Sequence, residues 1–115
     1  MSALTNPNPN ELGMNIVNNN GTPITINRFF AYWVKSPTSQ KISRLLLNGL
    51  VVWNTSDPDS PSDIPTEGNF VGGANLTIPD ATGEILVVQF PNNLQATGYE
   101  VHIVFDIGCQ VVRSK

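Results

Sequence analysis

Arg44-Leu-Leu-Leu-Asn-Gly-Leu-Val-Val-Trp53 is the stretch whose reading decides the fold. Two apolar runs flank Asn48-Gly49. A type I′ turn needs positive φ at both central positions, and Asn-Gly meets that need at the least steric cost. Val51, Val52 and Trp53 are β-branched or aromatic, which suits strands. The segment therefore reads as two short strands, Ile42 to Leu47 and Leu50 to Trp53, closed by a tight hairpin.

Reading outward, the same two-residue period recurs. Glu11–Val17 (ELGMNIV) is a first strand, and Asn18–Pro23 (NNNGTP) is a turn cluster, because Asn and Gly tolerate positive φ. In Ile24–Val34 (ITINRFFAYWV), Ile24 and Ile26 share a face. Beyond them the inward set is either Phe30, Tyr32 and Val34, or Phe29, Ala31 and Trp33. The second choice requires an extra residue near Asn27-Arg28, which a β-bulge supplies. It is preferred because it buries Trp33 and leaves Arg28 and Tyr32 in water. Asn54–Gly73 reads as a long polar loop whose Pro and Gly residues oppose regular structure. ANLTI is a short strand. EILVVQF, apolar at both parities, is a central one. In YEVHIVFD, Tyr99, Val101, Ile103 and Phe105 lie on one face. Ile107-Gly108 turns the chain, and CQVVRS closes it. The expected fold is all-β, an antiparallel Ig-like β-sandwich of about eight short strands.

The chain has 115 residues, which suits one domain able to bury roughly 65% of its unfolded surface without a metal or disulfide. NPNPNE, with its X-Pro steps, reads as extended chain. Residues 1–11 are thus expected to be a linker or flexible segment, with the sandwich over 12–115, and the whole to be a domain cut from something longer. Charged residues are only 13% of the composition and the formal net charge is -3. The polar surface must be built from Asn, Thr, Ser and Gln, a habit of secreted bacterial β-proteins. Nucleic acid is excluded as a partner, since no Lys/Arg cluster exists to follow phosphates. No apolar run of about 18 residues is present to insert into a membrane.

Catalytic signatures are wanting. The single cysteine, Cys109, forms no internal disulfide and reads as a small buried hydrophobe. The single histidine, His102, reads as a solvated or edge side chain rather than its catalytic partner. No G-x-S-x-G elbow appears, and no spacing pairs the carboxylates across a cleft. The chain is expected to be no enzyme and to need no cofactor or metal. Asp57, Asp59 and Asp63 cluster in the polar loop. Pro58 and Pro61 interrupt them, and the closing Glu of an EF-hand is missing, so they read as solvated turn caps before they read as a calcium loop. Trp33 and Trp53 read as core. Tyr32 and Phe70 are the aromatics expected to be exposed, Phe70 as a binding tip or as a plug over the sandwich end.

NNNGTPITI, RLLLNGLVVWN and FPNNLQATGYEVHIVFDIGCQV together resemble a bacterial extracellular Ig-like module that accompanies Tad-like pilus-assembly and other surface proteins. The resemblance spans roughly residues 14 to 112. Ile24 to Trp33, Val52-Trp53 and Gly98 to Cys109 carry it, with Ile107 and Val34 standing where such modules often have Asn and Pro. It implies an extracellular or cell-surface location and a structural or adhesive role, with neighbouring domains or surface proteins as partners. It implies no catalytic residues. Two other roles follow from the residues themselves: a carbohydrate-binding module stacking polysaccharide on exposed aromatics, and a self-assembling filament subunit, a homo-oligomer in which Ser2 to Leu12 lies along a neighbour's open sheet edge.

Overall fold

The computed structural model describes residues 3–34, 40–55, 62–64 and 69–115. Among them are nine strands and no helix: β1 (Glu11–Asn18), β2 (Ile24–Tyr32), β3 (Arg44–Leu47), β4 (Leu50–Trp53), β5 (Ser62–Ile64), β6 (Thr77–Ile78), β7 (Thr82–Gln89), β8 (Glu100–Phe105) and β9 (Gln110–Ser114). One sheet runs β1-β7-β3-β4. The other runs β5-β2-β8-β9, with β6 beside the start of β2, and all pairings are antiparallel. Relabelled as B-E-D and C-F-G, these neighbours are the Greek-key pairings of an immunoglobulin-like sandwich.

Local chemistry explains the key elements. Asn48 and Gly49 adopt φ of 53° and 78°, the type I′ pair expected of the hairpin. Gly49→Val puts a β-branched residue into that region and should cost about 1–3 kcal/mol, read from the urea midpoint. The β2–β8 register shifts between Ile26 and Arg28. This bulge turns Ile24, Ile26, Phe29, Ala31 and Trp33 into the core and turns Arg28, Phe30 and Tyr32 out. From β8 the core receives Val101, Ile103 and Phe105, with Tyr99 just ahead of the strand. Leu12, Met14, Ile16, Leu45, Leu47, Trp53, Leu86 and Val88 face them from the other sheet.

Two polar devices pin the ends of the sandwich. The Gln95 N–H donates to Tyr99 Oη at 2.8 Å, the tyrosine corner of this architecture. Val101, two residues later, is buried in the core. Tyr99→Phe should cost about 1 kcal/mol in thermal or urea denaturation, because it strips the acceptor from a loop N–H. Buried Asn18 donates through Nδ2 to the carbonyls of Thr22 and Ile78 at 2.8 and 2.9 Å, and its Oδ1 accepts the Asn20 N–H. One side chain thereby closes the NNNG turn onto β6.

Several expectations need correction. Cys109 is exposed, because it follows the β8–β9 turn where the opposite sheet no longer covers the strand. That turn holds Asp106, Ile107 and Gly108, with Gly108 at φ 85° and its N–H donating to the Phe105 carbonyl. It is a three-residue loop and not a two-residue one. β7 is central, yet its outer face is not covered: Ile85 is 54% exposed. The tract read as irregular contains β5, whose Ile64 is fully buried. Ahead of β1, residues 3–10 lie against that strand. Leu4 is buried, Thr5 and Gly13 exchange both backbone hydrogen bonds, and Lys115 Nζ donates to Asn6 Oδ1. Pro7 occupies the space a side chain at position 13 would need.

Candidate interaction face

The bulge in β2 and the alternation of β8 and β9 expose one set of side chains on the outer face of the five-stranded sheet. Register groups them into rungs. Asp63, Phe30, His102 and Val112 form one across β5, β2, β8 and β9. Tyr32, Glu100 and Ser114 form the next on one side, and Arg28, Val104 and Gln110 on the other.

Within this grid four side chains make a continuous row. The Arg28 guanidinium lies 4.7 Å from the Phe30 ring centroid, a cation–π contact. Phe30 meets His102 at 6.2 Å between centroids, and His102 meets Tyr32 at 5.8 Å, with ring planes inclined by 62° and 54°. Arg28 is fixed from its other side by a fork to Asp63, Nε to Oδ1 at 2.9 Å and Nη2 to Oδ2 at 2.6 Å. That hydrogen bond holds the guanidinium pKa above its ordinary value, so Arg28 carries its charge at every working pH. His102 Nε2 lies 2.7 Å from Glu100 Oε1, and its Nδ1 lies 3.3 Å from Gln110 Nε2. The neutral tautomer with the proton on Nε2 satisfies both, donating to the carboxylate and accepting from the amide.

The expected site residues fall in different places. Tyr32, 42% exposed, and Asp63, on β5, share this face with Phe30 between them. Asp63 sits in a strand, with both carboxylate oxygens bonded to Arg28. Asp57 and Asp59 lie outside the described residues. Phe70 is half-buried and packs on the core, and the next residue's N–H reaches the Val52 carbonyl. It plugs the sandwich rather than tipping a loop. Both tryptophans are core residues. Trp33 packs against Phe90, and its Nε1 donates to the Gln40 carbonyl at 3.1 Å. Phe30, Glu100 and His102 join the face without having stood out as site residues in the sequence. Their parity signals them once the Tyr99–Phe105 face is assigned to the core.

No family model, curated protein or solved structure matches this chain.

Proposed function

We propose that this domain is a non-enzymatic, extracellular β-sandwich module with an adhesive or structural role on a cell surface, and that it engages a protein partner through the outer face of its β5-β2-β8-β9 sheet. The observation that carries the reading is the preorganised row of Arg28, Phe30, His102 and Tyr32, held by Asp63 and Glu100. Arginine and tyrosine lead the residues that dominate protein interfaces, and side chains already fixed in place lose little rotamer freedom on binding. The low-charge surface rich in Asn, Thr and Ser, and the resemblance to pilus-associated surface modules, favour the extracellular setting.

A polysaccharide is the lesser candidate. Sugar stacking uses a flat, open ring face. Here the rings are inclined to one another and Arg28 lies over Phe30. The test is a glycan array run beside a panel of immobilised cell-surface and matrix proteins. Binding is expected on protein only. It should fall about tenfold or more in Arg28→Ala and in Tyr32→Ala, and hold in Ile85→Ala on the opposite sheet. Retention on a glycan, or protein binding indifferent to Arg28 and Tyr32, would contradict the proposal.

A further inference from the structure

We infer that the outer edge of β9 is a self-pairing surface, where a second copy of this chain adds its own β9 antiparallel across a two-fold axis at Val112. The hydrogen-bond parity of the β8–β9 ladder carries the inference. The Lys115 N–H donates to the Tyr99 carbonyl and the Tyr99 N–H donates back. The Phe105 N–H donates to the Cys109 carbonyl. Odd-numbered residues of β9 therefore face β8, and the N–H and C=O groups of Gln110, Val112 and Ser114 point away from it.

Two other sheet edges, those of β1 and β4, are at least partly occupied. The N-terminal segment takes β1 at Glu11 and Gly13, where the Asn6 amide donates to the Glu11 carbonyl and Thr5 bonds Gly13. Val71 takes β4 at Val52. β9 pairs in regular register without a bulge and contains no Pro or Lys; its one charged residue is Arg113, on the parity of Val101. A polar side chain does reach its outward backbone: Arg113 Nη1 donates to the Val112 carbonyl. That bond is exposed and must give way to the partner's N–H.

A second copy fits because the edge is complementary to itself. With Val112 opposite Val112 of the other copy, Gln110 faces Ser114, giving apolar and amide–hydroxyl pairs on the outer face. On the other parity Arg113 faces Val111, so no like charges stand directly opposite and the two Arg113 side chains lie only diagonally. The pairing is isologous and closes at two subunits. A two-fold perpendicular to the sheet keeps both outer faces on one side, so the rung Asp63, Phe30, His102, Val112 continues into its mirror sequence. The two histidines then lie three strand spacings apart, about 14 Å. The assembly would present the proposed binding row twice on one surface. The pairing rests on β9 alone; only this bivalence rests on the proposed function.

Sedimentation equilibrium of the purified chain tests it, with residue-resolved amide exchange read over the same concentrations. The mass is expected to rise from 12.5 kDa toward twice that value as concentration approaches about 1 mM, the weak end of specific association. In step, the amides of Gln110, Val112 and Ser114 should become protected. Val112→Pro removes an N–H that the β8–β9 ladder does not use and should abolish the rise. Val112→Lys does so without changing the backbone. Arg28→Ala and Tyr32→Ala should leave self-association unchanged, which separates this test from that of the binding face. A monomer at the highest concentration would overturn the inference. So would a dimer that survives Val112→Lys with the three amides still exchanging freely.

Discussion

Trp53→Ala is expected to lower the unfolding free energy by about 3–5 kcal/mol, a large share of the roughly 5–15 kcal/mol typical of such a domain. Trp53 heads the fully buried side chains. It stands at the end of β4 opposite Leu45, beside a register shift between Leu45 and Leu46. Truncation there removes an indole from a close-packed core and leaves a cavity that two sheets pinned by their own ladders cannot collapse to fill. The indole also brings a cost. Its Nε1 has no hydrogen-bond partner among the described residues. Trp53→Phe keeps most of the volume and removes the orphaned donor, so it should lose far less than the alanine variant. Urea denaturation followed by far-ultraviolet circular dichroism measures both. Equal losses would mean that the N–H, not the ring volume, is what the site needs.

Gly98→Ala is expected to cost about 2–5 kcal/mol, from two sources that can be separated. Gly98 has φ of 103°, a region costly to any residue with a Cβ. A Cβ there would also overlap Val34 Cγ2. Gly98 further ties the sandwich shut, since its N–H donates to the Lys115 carbonyl at 2.7 Å. The double variant Gly98→Ala/Val34→Ala relieves the overlap but not the dihedral strain. Its loss should fall short of the sum of the two single losses, the difference measuring the steric part. Strict additivity would leave φ as the whole cause.

The features legible in the sequence share a physical trait: each is decided by neighbours along the chain. Asn48-Gly49 selects its turn type within two residues. The bulge follows from Ile24 and Ile26 giving way to Phe29, Ala31 and Trp33, because an extra residue is the simplest way for a strand to change parity while keeping both sets inward. Tyr99, Val101, Ile103 and Phe105 alternate so cleanly that only one face can be theirs. What stays hidden depends on partners distant in sequence. Cys109 has an inward parity, but parity does not tell where the opposite sheet ends. β5 is three residues long and has one apolar side chain, Ile64. It exists because Phe29, Phe30 and Ala31 offer it an edge and Arg28 offers Asp63 a charge. The docking of residues 3–10 depends on Gly13 leaving room for Pro7, a contact no periodicity announces.

The candidate face is half legible for the same reason. In the sequence Tyr32 and Asp63 stand out singly, one as an exposed aromatic and one as a loop acid. Their common surface, with Phe30 and His102 between them, appears only when β5, β2 and β8 are known to be neighbours. A polar residue on a strand's outer parity is ordinarily just solvated. Glu100 and His102 become notable because β2 places two aromatic rings and a fixed guanidinium beside them.

Core and candidate face both depend on the bulge after Ile26, which sends Trp33 inward and the Arg28, Phe30 and Tyr32 row outward. Nuclear Overhauser contacts between aromatic ring protons measure this most directly. Cross-peaks are predicted between Trp33 and Phe90, and between Tyr32 and His102. Contacts joining Tyr32 to Phe90 with Trp33 beside His102 would contradict it, placing the opposite set of side chains in the core and dissolving the proposed face.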